Sequence, residues 1–244
     1  MNFVSKLRLT LLVAVASFIA VPCFAQNSDG ISTRKVDLKD GKSIEYGYIE
    51  PEGFDASKEY PILLALPPGG QNRQMVKASF DLYWSNAGKK GWVVVVPAAP
   101  KGEAYNNGAE VLIPEFLKKI KERYKPAGGK FHLAGVSNGG TSVFRIAGLF
   151  PDEFHSLIAM PGFPKSDKDK ENLAKLKEKP IALYVGSKDT KWIGPMESTV
   201  KKLKELGADV TFEKIEGEGH VIRKWKDGKK LFDLLDQWNK KLKK

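Results

Sequence analysis

The chain has 244 residues, 42% of them hydrophobic, which suits one sizeable core and a single large α/β domain. Its one cysteine, Cys23, lies close to the first residue, so disulfide frameworks, thiolate metal sites and cysteine nucleophiles are excluded from the rest of the chain. The net charge of +11 is carried mostly by scattered lysines with no zinc-finger, helix-turn-helix or RNA-binding motif, so nucleic acid is not an expected partner.

At the N-terminus Lys6 and Arg8 precede an apolar run over residues 9–21, and Cys23-Phe24-Ala25 offers small residues at the two positions a signal peptidase reads. About thirteen apolar residues are short for a membrane span, and Pro22 departs from the small residue that lipid attachment at Cys23 wants. The expectation is a signal peptide over 1–25, no stable membrane anchor, and an exported chain, periplasmic or extracellular. Losing Lys6 and Arg8 lowers the net charge from +11 to +9. That surplus reads either as a solvated surface or as weak affinity for an anionic polymer or envelope surface, supported by the lysine-rich tail at 240–244.

Residues 26–42 read as a loosely packed lead-in, and 43–244 as the α/β domain. Residues 43–50 begin with an antiparallel strand, and 62–66 form a buried one. A helix over 74–89 carries Phe80, Tyr83 and Trp84 on its inner side, and a buried strand follows at 92–96. An amphipathic helix over 112–124 leaves Lys118, Lys119, Lys121 and Glu122 in solvent. After a strand at 131–136 and a helix at 141–150 ended by Pro151, strands are expected at 156–160, 181–185 and 210–215. Helices fall near 169–177 and 198–206, and a last one at 229–242. Alternation of this kind implies a mostly parallel central sheet with helices on both faces. The stretch from Pro161 to Pro180 leaves no room for a large cap.

Gly135-Val136-Ser137-Asn138-Gly139 sits where a strand gives way to a helix. In such a turn glycines allow close backbone approach while the serine is strained and its hydroxyl exposed. A serine hydroxyl needs a base, held in the right tautomer by a carboxylate. His132 lies inside a strand and His155 just before one, where packing explains them. His220, in the loop Gly217-Glu218-Gly219-His220 after the last strand, is the candidate base. Asp189, just beyond the 181–185 strand, is the candidate acid. Asp167 and Asp169 suit helix capping, and Asp209 precedes a strand at the other end of the sheet. The amide of Asn138 is one candidate oxyanion donor. The loop Pro67-Pro68-Gly69-Gly70-Gln71-Asn72 supplies the second from Gly70 or Gln71, because prolines cannot donate. Trp192 and Tyr105 are read as pocket-lining or core residues.

In the order Ser137, Asp189, His220, with the elbow and the glycine-rich loop, the chain resembles the α/β-hydrolase superfamily over residues 43–242. Within it, Gly135 to Gly140 and Gly217 to His220 without a cap insertion resemble the compact carboxylesterase group. That group includes phospholipase/carboxylesterases, polyhydroxybutyrate-depolymerase-like esterases and feruloyl or acetyl-xylan esterases. Pro67-Pro68 departs from the His-Gly that relatives often carry before the glycine. The resemblance implies hydrolysis of a small-molecule or polysaccharide-linked carboxylic ester through an acyl-enzyme, with no cofactor and no metal. A peptidase or thioesterase using the same residues, and a non-catalytic glycan-binding protein on a hydrolase fold, are the alternatives.

Overall fold

A computed structural model describes residues 31–242. The signal peptide expected over 1–25 therefore lies outside the described residues. The strands, in chain order, are β1 (Ser32–Asp37), β2 (Ser43–Ile49), β3 (Glu59–Tyr60), β4 (Ile62–Leu66), β5 (Val93–Pro97), β6 (Lys125–Pro126), β7 (Phe131–Gly135), β8 (Phe154–Ala159), β9 (Ile181–Gly186) and β10 (Val210–Ile215). The α-helices are α1 (Arg73–Ser79), α2 (Ile113–Arg123), α3 (Asn138–Leu149), α4 (Asp167–Glu171), α5 (Thr190–Glu205) and α6 (Lys229–Lys241).

Eight strands form one sheet in the order β1-β2-β5-β4-β7-β8-β9-β10. The first two are antiparallel additions, and every pairing from β5 to β10 is parallel. The apolar runs explain the central strands. Successive side chains point to opposite faces, so a strand covered on both sides must be apolar throughout. Ile62, Leu64 and Leu66 of β4 join the core beneath α2, α3 and α5, while Leu63 and Ala65 join the core beneath α1 and α6. The aromatic residues expected on the inner side of the first helix are buried there, in a wider turn, Phe80–Trp84, that continues α1.

The chain runs from β4 outward to β5 and then crosses to β7 on the other side of β4. Between β4 and β7 the connections leave toward opposite faces, which opens a crevice at the carboxyl ends of those strands. The site is built there.

Two expectations need correction, and one element is new. Residues 32–37, read as part of a loose lead-in, form the edge strand β1, paired along its length with β2. Helix α5 begins at Thr190 rather than near 198, running through Gly194 and Pro195. Glu59–Tyr60 and Lys125–Pro126 form a small second sheet that no pattern announced.

His132 has the structural role its strand position implied. Its ring is 1% exposed, packs on Trp92 at 5.0 Å, and its Nδ1 lies 2.7 Å from the Ser156 hydroxyl. Burial lowers its pKa from 6.5 to about 3, the neighbouring His155 adding to the shift and the Asn239 side chain partly opposing it. Burial also lowers His155. A histidine depressed in the folded state contributes stability that is fully present above its unfolded value and is lost as the pH falls toward the folded value. We expect unfolding free energy to decline by a few kcal/mol between pH ~6.5 and ~3 on this account. Urea titrations across that range should give a shallower slope for His132→Gln than for the wild type, whatever its stability at neutral pH.

Candidate active site

Ser137 stands one residue after β7 and caps α3 with φ 56° and ψ −116°, a conformation that a side chain rarely adopts. The neighbouring glycines show why the turn is so tight. A Cβ on Gly135 would lie 2.2 Å from the Gly139 carbonyl oxygen, and one on Gly139 would lie 2.1 Å from that of Leu66 at the end of β4. Gly140 meets the Pro161 carbonyl oxygen at 2.1 Å in the same sense. All three contacts are with backbone, which cannot swing aside.

The other two candidates approach through a second backbone contact. A Cβ on Gly186, the last residue of β9, would lie 2.1 Å from the Gly219 carbonyl oxygen. The loops after β9 and β10 are stitched by hydrogen bonds from Lys188 N–H to Glu218 O at 2.9 Å and from Gly217 N–H to Ser187 Oγ at 2.9 Å. Asp189 then sits at the start of α5, but its carboxylate does not cap that helix. It faces His220 instead, with Oδ2 2.7 Å from Nδ1, while Nε2 of the same ring lies 2.7 Å from Ser137 Oγ.

A carboxylate only accepts, so Nδ1 carries the proton and Nε2 is free to accept from the serine hydroxyl. Asp189 is nearly covered, its side chain 11% exposed, whereas that of His220 is 40% exposed. The structure thus brings Ser137, His220 and Asp189 into one hydrogen-bonded line.

The loop after β4 lies against the elbow. The Asn138 side chain donates from Nδ2 to Gly69 O at 2.9 Å and accepts on Oδ1 from Asn106 at 2.8 Å. The Asn138 amide, at the first position of α3, has no carbonyl one turn behind it. Gln71 differs from expectation. Its N–H closes a turn onto Pro68 O at 3.0 Å, with φ 53°, and so is already engaged. Its buried side chain holds the loop instead, donating to Pro67 O and Ser142 Oγ, each at 3.1 Å, and accepting from the Tyr105 N–H at 2.6 Å. Of the two candidate amides of this loop, that leaves Gly70.

Tyr105 does not line a pocket. It is fully buried and donates its hydroxyl to Ala98 O at 2.9 Å. Trp192, in the first turn of α5, lies beside the site with its ring centroid 5.1 Å from that of His220, and Phe163 packs edge-on against it at 5.1 Å. Asn106 and Phe163 were missed by sequence reasoning. Neither stands in a motif, and only the folded loops bring them close.

Strand order, the elbow after β7 and the paired loops after β9 and β10 define the α/β-hydrolase fold, with no large cap among the described residues. Solved structures agree. A thermostable esterase superposes with a TM-score of 0.69 at 16% identity, over 87% of this chain and 63% of its own. The chain therefore spans less than two thirds of that protein's length. A ferulic acid esterase from the anaerobic fungus Anaeromyces mucronatus gives a TM-score of 0.65 at 15% identity, covering 83% and 88% of the two chains. An S-formylglutathione hydrolase from Agrobacterium tumefaciens gives 0.63 at 14% identity, over 87% and 95%. At these identities the likeness is one of fold. No protein-family model matches the chain, and no curated protein matches it in sequence.

The glycine contacts give a direct test. Gly139→Ala should destabilise the protein by about 3 kcal/mol or more, because backbone must move on both sides of the new methyl. Gly219→Ala, whose Cβ would meet nothing within 4 Å, should change stability by less than about 1 kcal/mol. Urea midpoints of the two variants measure the difference.

Proposed function

We propose that the chain is an exported serine esterase that hydrolyses carboxylic esters through an acyl-enzyme. The observation that carries this reading is the unbroken line from Ser137 through His220 to Asp189, with 2.7 Å at each step. Surface histidines rarely meet both a strained serine and a covered carboxylate by accident, and perturbed geometry of this kind clusters at reactive sites.

In the first half-reaction Ser137 Oγ attacks the ester carbonyl carbon as its proton passes to His220 Nε2. The carbonyl oxygen becomes an anion, received by the amides of Asn138 and Gly70; donors of this type contribute about 3 kcal/mol each. Collapse of the tetrahedral species breaks the carbon–oxygen bond to the alcohol, which leaves with the proton from His220. Water then repeats the sequence on the acyl-enzyme, releasing the acid and returning the proton to Ser137. Asp189 accepts from Nδ1–H throughout, keeping the productive tautomer and stabilising the imidazolium.

Support for esters comes from the fold neighbours, among them the thermostable esterase and the ferulic acid esterase. The crevice lacks a covering domain among the described residues, which suits a substrate presented on a larger molecule. Support for export comes from the basic start, the apolar run over 9–21 and the small residues at Cys23 and Ala25. Mass analysis of protein secreted by the native host should find Gln26 as the first residue.

A p-nitrophenyl ester series tests the activity. Ser137→Ala should abolish turnover and labelling by a fluorophosphonate probe. Asp189→Asn should lower kcat by a factor on the order of 10⁴, because the imidazole is then held in the wrong tautomer. Labelling that persists in Ser137→Ala would sink the reading. Including a thioester and a peptide amide in the series measures the preference among acyl donors.

A further inference from the structure

The loop after β4 meets the elbow through two side-chain amides that run in opposite directions. Gln71 reaches from the loop to α3, donating to Pro67 O and Ser142 Oγ, while Asn138 reaches from α3 to the loop, donating to Gly69 O at 2.9 Å. Adjacent residues of one turn hold the two amide oxygens. The Tyr105 N–H donates to Gln71 Oε1 at 2.6 Å, and the Asn106 side chain donates from Nδ2 to Asn138 Oδ1 at 2.8 Å. Chemistry dictates the order of atoms in this second relay. A peptide carbonyl only accepts, so Asn138 must present Nδ2 to Gly69, which leaves Oδ1 to be met by the donor of Asn106. The turn is itself pinned. Ala104 and Asn107 exchange backbone hydrogen bonds at 3.1 and 2.8 Å, and the Tyr105 ring between them is buried.

The peptide that Asn138 holds is the one between Gly69 and Gly70, which carries the candidate oxyanion donor of this loop. A peptide unit is planar and trans, so fixing the Gly69 oxygen also fixes the direction of the Gly70 N–H on the opposite edge of the plane. The glycines alone would not hold it. No Cβ restricts the torsions on either side, and a Cβ on Gly70 would meet only the Asn72 side chain within 4 Å, at 3.8 Å. The tie must come from outside the loop, and Asn138 supplies it.

We propose that the Asn138 side chain is a positioning group for the oxyanion site, itself set by Asn106. One residue then offers one donor from its backbone and orients the second through its carboxamide. The proposal rests on the esterase reading above, because only in that reaction does an oxyanion form.

Two readouts test it: kcat and KM on p-nitrophenyl acetate, and the inhibition constant Ki of an aryl trifluoromethyl ketone. The ketone carbon bonds to Ser137 Oγ, the serine proton passes to His220, and the ketone oxygen becomes a bound oxyanion without any leaving group. Asn138→Ala keeps the backbone amide but loses the tie. It should lower kcat roughly 100-fold, the order of one oxyanion donor lost, with KM within about twofold and Ki weakened by a factor similar to that in kcat. Asn106→Ala removes one neutral hydrogen bond from Asn138 and should cost about fivefold in kcat and in Ki. Because Asn106 acts only through Asn138, Asn106→Ala/Asn138→Ala should match Asn138→Ala, with no multiplication of losses. Ki is independent of the fraction of enzyme that is folded. A fall in kcat with unchanged Ki is therefore a folding defect and overturns the proposal. Losses that multiply in the double variant overturn it too, as does an Asn138→Ala enzyme within about threefold of wild type in both readouts. In each of these cases Ser137-dependent turnover by the wild type leaves the esterase reading intact, whereas absence of that turnover overturns both.

Discussion

Everything at the crevice depends on backbone touching backbone where β4, β7 and α3 meet. Helix α3 starts so close to the end of β4 that a methyl group on Gly139 would overlap the Leu66 carbonyl. The same crowding forces Ser137 into positive φ, a strain of about 1–3 kcal/mol that persists only because the surroundings over-determine it. Those surroundings are substantial. β7 is buried along its whole length between β4 and β8, and α3 buries Val143, Phe144, Ile146 and Ala147 in the core beneath it. A serine on a free loop would relax out of this conformation. Here relaxation would have to pull a helix off the sheet.

The second backbone contact, Gly186 against Gly219, does for Asp189 and His220 what the elbow does for the serine. It differs in character. The elbow is set in the middle of the sheet, whereas β10 is the edge strand and half exposed. The histidine loop is therefore held by local ties, Lys188 to Glu218 and Ser187 to Gly217, and by the covered Asp189 carboxylate. Trp192 supplies the remaining support. Its ring lies close enough to His220 to limit the imidazole's rotation and, when the ring is protonated, to face it with aromatic surface.

How much of this was legible beforehand follows from what each residue relies on. β4 and β10 were read at 62–66 and 210–215, the bounds they have, because turn residues punctuate both runs. Ser137, Asp189 and His220 stood out because each follows a strand, and the order of elements alone put them at one end of the sheet. β1 was hidden. Ser32–Asp37 holds one apolar residue, Val36, and gains its place from backbone pairing with β2 rather than from any pattern of its own. The start of α5 was missed because Gly194 and Pro195 look like a stop, yet on an exposed turn the lost N–H is tolerated. Gln71 was misjudged for a different reason. Its contribution is a buried side chain reaching Pro67, Ser142 and Tyr105, and contacts across loops leave no periodic trace.

The segment from Pro161 to Leu176, too short for a cap, is tied instead to the helix that Ser137 begins. Arg145 of α3 holds Asp169 at 3.1 Å and Glu110 at 2.8 Å, two carboxylates of which only 6% and 7% is exposed. Charges so deeply covered would cost several kcal/mol without a partner, so the arrangement has little freedom to rearrange. Asp169 also closes a capping box with Ser166, fixing the turn that leads from Phe163 and Pro164 into α4. Gly140 and Gly162 touch a few residues away, from α3 and from this segment respectively. One helix thus carries the strained serine at its first turn and, two turns on, the arginine that ties down the start of α4 through Asp169. The surroundings of Ser137 are thus braced by packing between α3 and the segment it holds.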